Sequence, residues 1–302
     1  MTYFDVVTGF LGAGKTTFLS RYLRWLEKQN IRSCVIENEF GRAGIDGALL
    51  SKQGVRVKEI SGGCVCCTLK VTLHDLMNEL SGQVDRIILE PSGLFCGDDL
   101  MDILSSPDCT VKPGMWVGVV DPLSIGIMNE EDRAVLQSEL MQAGSIVVSK
   151  AQLCNSTELN ALPGWIADLL PPPTPQIWLE PWENLSDDAW FSALQRYGII
   201  ARDHPRRIFD HTSMFQSAAF SPMRCYDKAE VHSVLRTMLQ IDCGEVLRAK
   251  GTLRASNGSW RVNLTPGCEN VSFEPGEAAP MLNVIGRNLN RKHIRSILED
   301  LK

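Results

Sequence analysis

Three short segments combine residue types and spacings that suit chemistry. Gly9-Phe10-Leu11-Gly12-Ala13-Gly14-Lys15-Thr16-Thr17 fits the pattern G-x-x-x-x-G-K-[ST]. In a loop of this kind the glycines let backbone N–H groups turn inward on phosphates, so Gly12, Ala13, Gly14, Lys15, Thr16 and Thr17 form a candidate nucleotide-binding run. Lys15 would reach the β and γ oxygens and Thr16 would hold Mg²⁺. In the second segment, Ser61-Gly62-Gly63-Cys64-Val65-Cys66-Cys67, three thiols fall within four residues on a glycine-led turn. Thiolates suit Zn²⁺, Cu(I) and related ions, and three ligands leave a fourth tetrahedral position for an acid, water or a delivery partner. Three small buried residues and a redox switch are the competing readings of that turn. The third segment, Arg86-Ile87-Ile88-Leu89-Glu90-Pro91-Ser92-Gly93, ends an apolar run on an acid. Glu90 is thereby placed to face Mg²⁺ or its water, followed by a segment free to respond to a γ-phosphate.

These segments need a frame that brings their ends together. Tyr3 to Thr8 reads as a strand that enters the glycine-rich turn, and Lys15 to Gln29 repeats apolar residues at helical spacing. Further apolar runs at Cys34–Ile36, Val55–Ile60, Arg86–Leu89, Trp116–Val120, Ile146–Val148 and Ile177–Leu179 alternate with helical patterns at Leu73–Leu80, Asp99–Leu104, Glu131–Gln142, Glu158–Leu170 and Asp187–Tyr197. That alternation implies an α/β phosphate-loop NTPase domain with a mostly parallel sheet covered on both faces. After Tyr197 the order changes to strands at Phe215–Phe220, Glu245–Arg254, Trp260–Leu264, Val271–Phe273 and Met281–Ile285, with helices at Lys228–Leu239 and Arg291–Leu301. This second part reads as a smaller α+β domain. The expected organisation is a nucleotide-binding domain over 1–200 that carries the cysteine turn, a linker near Gly198 to Pro205, and a C-terminal domain over 206–302. Trp165, Trp178, Trp182 and Trp190 crowd one region and read as core and domain-contact residues.

At 302 residues the chain is long enough for two cores, and 44% hydrophobic against 22% charged residues places it among globular proteins. Thirty Lys and Arg against 36 Asp and Glu give a net charge of -6. With no long basic cluster, nucleic acid and an anionic membrane are poor partners. No apolar stretch is long enough to span a bilayer and the first residues lack a secretory pattern, which implies a cytoplasmic protein.

The motifs, taken in order, resemble those of the CobW-type metallochaperone GTPases, a family that includes nitrile hydratase activators and is related to HypB and UreG. The resemblance rests on Gly9 to Thr17, on Glu37-Asn38-Glu39-Phe40-Gly41 with Gly44-Ile45-Asp46, on Gly63 to Cys67 and on Glu90 to Gly93. It continues through Val119-Val120-Asp121 and Leu247-Arg248-Ala249-Lys250-Gly251, and so covers nearly the whole chain. It implies GTP binding and hydrolysis with Mg²⁺, coupled to holding and delivering Zn²⁺ or Co²⁺ to a client metalloprotein or metal-cofactor enzyme. A nucleotide- or metal-dependent homodimer is compatible with it. Lys15, Thr16 and Glu90 become the implied catalytic set, and Cys64, Cys66, Cys67 and Glu37 the implied transition-metal ligands.

The departures from the family concern the base and the metal. The guanine-reading segment, Asn/Thr-Lys-x-Asp, aligns with Ser149-Lys150-Ala151-Gln152, so an amide replaces the acid. A carboxylate accepts from both guanine N1–H and N2–H, whereas an amide sets a donor against one of them. GTP and ATP thus both stand as nucleotides for this chain. There are five His in all and no His-rich stretch, which removes metal storage by such a tract. The alternatives to a metal-delivering GTPase are a nucleotide-responsive assembly factor with weak hydrolysis, serving a metallo- or corrinoid enzyme, and a small-molecule kinase.

Overall fold

The structure is a computed structural model in which residues 1–37, 56–59, 68–91, 97–202, 215–276 and 278–299 are described. Cys64, Cys66, Cys67, most of the segment after Glu37, and Ser92-Gly93 lie outside the described residues. The described residues form two compact units, those up to 202 in one and those from 215 in the other.

In the first unit, β1 (Tyr3–Thr8) leads through the glycine-rich turn into α1 (Lys15–Lys28), and β2 (Ser33–Glu37) and β3 (Arg56–Glu59) follow. Next come α2 (Thr68–Leu80), β4 (Arg86–Glu90), α3 (Gly97–Leu104), β5 (Lys112–Val120) and the short α4 (Pro122–Ile125). The unit closes with α5 (Glu130–Leu140), β6 (Ser145–Val148), α6 (Ser156–Leu169), β7 (Gln176–Trp178) and α7 (Asp187–Leu194). The seven strands run in the order β3-β2-β4-β1-β5-β6-β7, and all their pairings are parallel. Parallel strands are buried on both faces, which is why they read as continuous apolar runs.

Within β1, Val7 faces one core while Phe4 and Val6 face the other, as the two-residue period of a strand requires. On the first face Phe18, Tyr22 and Leu26 of α1 pack with Trp190, Phe191 and Leu194 of α7. On the second, Leu73, Met77 and Leu80 of α2 and Leu100 of α3 cover Ile36, Ile87 and Trp116. Phe18 is fully buried with edge-on contacts to Trp182, Trp190 and Phe191, which seats α1 and therefore the turn that precedes it. Trp178 joins this cluster from its margin, whereas Trp165 is half-buried on α6 and stands apart from it. Capping boxes Asn129/Asp132 and Asn155/Glu158 fix the starts of α5 and α6 by satisfying amides that the first helical turn leaves open.

The second unit is a five-stranded antiparallel sheet in the order β11-β10-β9-β12-β8. Its strands are β8 (Gln216–Phe220), β9 (Glu245–Ala255), β10 (Gly258–Thr265), β11 (Cys268–Pro275) and β12 (Met281–Arg287). Helices α8 (Lys228–Met238) and α9 (Arg291–Glu299) bury Val231, Val234, Leu235, Ile294 and Leu298 in its core.

Candidate functional site

In an open parallel sheet the loops at the carboxyl ends of the strands converge, and those ends form the ligand edge. Here β1, lying between β4 and β5, opens at Thr8 into the phosphate loop. Gly9 has φ 139°, and a Cβ on it would fall 2.3 Å from the Val119 carbonyl oxygen of β5. Only glycine fits so close to that strand. Gly14 has φ 98° and precedes α1, and a Cβ on it would fall 3.4 Å from Ser149 Cβ and 3.9 Å from the Trp182 ring. The loop is thereby laid against β5 at its start and beside Ser149 at its end.

Lys15, the first residue of α1, is 7% exposed. Its ammonium Nζ donates to the Gly9 carbonyl at 2.7 Å and, more distantly, to that of Phe10 at 3.4 Å, so the charge lies across the loop. The next side chain, Thr16, donates its hydroxyl to Glu90 Oε1 at 2.9 Å. Glu90 ends β4 and is buried. The loop hydroxyl and the strand-end carboxylate therefore meet, across 74 positions of chain. Thr17 points outward and is exposed.

Glu37 ends β2 and is 4% exposed. The register pairs Glu37 with Glu90 directly across β2 and β4, one strand spacing of about 4.8 Å apart. Two acids in register at one edge are costly as neighbouring anions and favour cations there. The described residues contain no cluster of three metal-ligand side chains, and the three cysteines that would complete a soft site with Glu37 fall outside them.

The segment aligned with base reading follows β6. The Ser149 amide donates to the Val120 carbonyl at 2.9 Å. Lys150 takes a left-handed conformation, φ 53°, and its ammonium pairs with the buried Asp121 carboxylate. Asp121 also caps α4 by accepting from the Leu123 amide at 3.0 Å. Gln152 lies on a short turn, Ala151–Leu153, and is exposed to solvent, so water can reach the amide that replaces the family's acid. Nearby, burial first, then the charges of Glu158 and Asp121, push the Cys154 thiol above its usual range. Cys154 is thus a poor thiolate source.

Sequence reasoning missed Glu139. It occupies the apolar stripe of α5 with Val135, Leu136 and Leu140, is fully buried, and accepts from the Gly9 amide at 2.8 Å. The visible signal was an acid at a stripe position between Leu136 and Leu140, on a face that also buries Asp132 at the helix start.

A family model described as the CobW/HypB/UreG nucleotide-binding domain matches residues 4–172, more than half of the chain. The zinc chaperone YeiR of Escherichia coli (strain K12) is 34% identical over 175 residues, covering 55% of this chain and 51% of that protein. The zinc chaperone CobW of Pseudomonas aeruginosa is 31% identical over 201 residues, covering 55% and 53% respectively. The chain thus spans about half the length of the curated relatives it matches. The crystal structure of Zn(II)-bound YjiA GTPase from E. coli aligns over 98% of this chain and 97% of that one, at 21% identity and a TM-score of 0.43.

Proposed function

Because the chain belongs to the CobW/HypB/UreG family, we propose that it is a nucleoside triphosphatase, GTP being the implied nucleotide, that couples binding and hydrolysis to delivery of Zn²⁺ or Co²⁺. The recipient is a client metalloprotein or metal-cofactor enzyme. The observation that carries this reading is the Thr16–Glu90 contact beside Lys15. Hard oxygen donors of this kind fit Mg²⁺, which Thr16 and Glu90 would hold and which neutralises charge on the β and γ oxygens when bound. Lys15 exchanges the Gly9 carbonyl for phosphate oxygens, and the amides of Gly12 to Thr17 cradle them. Ser149, Lys150 and Gln152 border the base. We assign the nucleotide domain to 1–200, the C-terminal domain to 206–302, and the protein to the cytoplasm. Among the described residues no helix is long and apolar enough to cross a membrane.

The cargo ion is held by Cys64, Cys66 and Cys67 with Glu37. Zinc as cargo is supported by the zinc-chaperone names of the relatives. Glu37 and Glu90 sit in register on adjacent strands, so an ion at one and Mg²⁺ with a γ-phosphate at the other act on neighbouring strand ends. Coupling of this sort is reciprocal. A non-hydrolysable triphosphate analogue is expected to change Zn²⁺ affinity by the same factor as Zn²⁺ changes analogue affinity, measured by calorimetry in both orders. Bound Co²⁺ is expected to give thiolate charge-transfer absorption that disappears in Cys66→Ser and Cys67→Ser. Independent binding of the two ligands overturns the coupling, and a surviving absorption band moves the metal elsewhere.

A further inference from the structure

The phosphate loop is held from behind by a group that neither the loop motif nor the strand-end acids include. Glu139 is 0% exposed in the last turn of α5, and its Oε2 accepts from the Gly9 amide at 2.8 Å. A buried amide must find an acceptor. Gly9 leaves β1 at φ 139° so close to β5 that a Cβ on it would fall 2.3 Å from the Val119 carbonyl oxygen, and its N–H meets Glu139 just past the last residue of the strand. Its carbonyl is the one that receives Lys15 Nζ at 2.7 Å. One peptide-linked residue is thus held by Glu139 on its donor side and holds Lys15 on its acceptor side.

The residues around Glu139 tie the same point to the chain that follows Glu90. Trp116 of β5 donates its indole N–H to Thr8 Oγ1 at 3.3 Å, immediately before Gly9. Gly97, the first residue of α3, lies against that indole and against the Ser138 carbonyl: a Cβ there would fall 3.3 Å from the ring and 3.5 Å from the oxygen. The end of α5, the start of α3 and the root of the phosphate loop therefore form one packed block, in which Glu139 makes the polar link to the loop.

We infer that Glu139 is a positioning residue of the nucleotide site, fixing the Gly9 peptide so that the loop and Lys15 are already set for the phosphates of a nucleoside triphosphate. The inference rests on the nucleotide-binding reading above. What Glu139 supplies is a carbonyl-type acceptor at a fixed depth, so the side-chain length matters more than the charge. Glu139→Gln retains an oxygen at the same reach. Glu139→Asp withdraws it by one methylene while keeping the acid, and Glu139→Met fills the volume without an acceptor of comparable strength.

The test measures affinity for a non-hydrolysable GTP analogue with Mg²⁺ by calorimetry, on wild type and the three variants, with thermal unfolding of each in the absence of nucleotide. Expected are affinity losses of tenfold or more for Glu139→Met and Glu139→Asp, and recovery to within threefold of wild type in Glu139→Gln. Analogue affinity per folded molecule is the deciding readout, since a merely structural acid would lower the unfolding temperature and leave that affinity alone. If Glu139→Met does not fold, the Asp and Gln pair decides. Wild-type affinity in Glu139→Asp overturns the inference, as does a loss in Glu139→Gln equal to that in Glu139→Asp. Failure of wild type to bind any nucleotide is a different result, which removes the underlying nucleotide-binding reading.

Discussion

Two groups of buried charge lie at the two ends of β1, one near its start and one just past its end, and they are built on opposite logics. Near its start, Asp5 is fully buried and accepts from Tyr22 Oη at 2.9 Å, from Arg86 Nη1 at 2.8 Å and from the Met115 amide at 2.9 Å. A Cβ on Gly114 would fall 2.1 Å from Asp5 Oδ1, so the strand beside it leaves no space for another group. Burial, then the Asp5 charge, raises the Tyr22 phenol well above its ordinary value, so it stays a neutral donor across the working pH range. Just past the end of β1 the polar groups also meet, Lys15 on a loop carbonyl and Thr16 on Glu90, at the point where the proposed nucleotide would bind. The lesson is that burial of charge does not by itself mark a site. Asp5 is closed by protein donors and holds three strands and α1 together, whereas the loop holds Lys15 and Thr16 through contacts that the proposed phosphates and Mg²⁺ would take over.

Substitutions at the two ends separate these roles. The largest effect is expected from Asp5→Leu, which leaves the Arg86 guanidinium and Tyr22 hydroxyl without their acceptor. Breaking a buried ion pair from one side costs about 3–5 kcal/mol, to be read as a lower urea midpoint for the first unit, with analogue affinity of the folded fraction unchanged. A loss of affinity at unaltered stability would merge the two regions and break the contrast. Lys15→Ala should do the reverse. Removing a charge-assisted contact to phosphate costs about 2–3 kcal/mol, or roughly two decades of affinity, while the unfolding midpoint stays close to wild type. Calorimetry and thermal unfolding on the same sample decide it, and unaltered nucleotide affinity removes Lys15 from the site.

Legibility in the sequence follows the same physics. Strands β1, β4 and β6 are plain because a strand covered on both faces is mostly apolar, with Asp5 the buried exception in β1, and the phosphate loop because its glycines and lysine are local requirements. Helix starts were read late where polar capping residues precede the apolar pattern. The Glu158 start lies two residues inside α6, whose box begins at Asn155. The apolar pattern predicts only Val271–Phe273 of β11, but β10 pairs it along Cys268–Pro275. Its residues are mostly exposed or half-buried, so hydrophobicity marked only its middle. The short α4 was missed although Asp121 and Pro122 are a cap followed by a first-turn proline. For Glu139 the helical spacing shows an acid in a buried stripe, but the Gly9 amide it accepts from lies 130 positions away, and no side-chain spacing records that contact.

The smallest expected effect lies at Gln152, on the exposed Ala151–Leu153 turn. An acid in its place would accept two guanine N–H bonds, while the amide sets one donor against a donor. Were the side chain buried, the unmatched pair would cost about 1–3 kcal/mol. Gln152 is exposed, so water can solvate the unmatched groups and the penalty belongs at the low end of that range. Lys150 is meanwhile held by Asp121, a contact that does not depend on the identity of the proposed base. Wild type is therefore expected to prefer GTP over ATP by about tenfold or less, each decade being about 1.4 kcal/mol. Gln152→Asp should raise that ratio by about fivefold, equivalent to about 1 kcal/mol, with little change in affinity for ATP because the phosphate loop supplies most of the binding. Competition of GTP and ATP against a fluorescent analogue, run on both proteins, measures the ratio directly. A strong GTP preference in wild type would place base reading on another residue, and an unchanged ratio in Gln152→Asp would show that position 152 does not face the base.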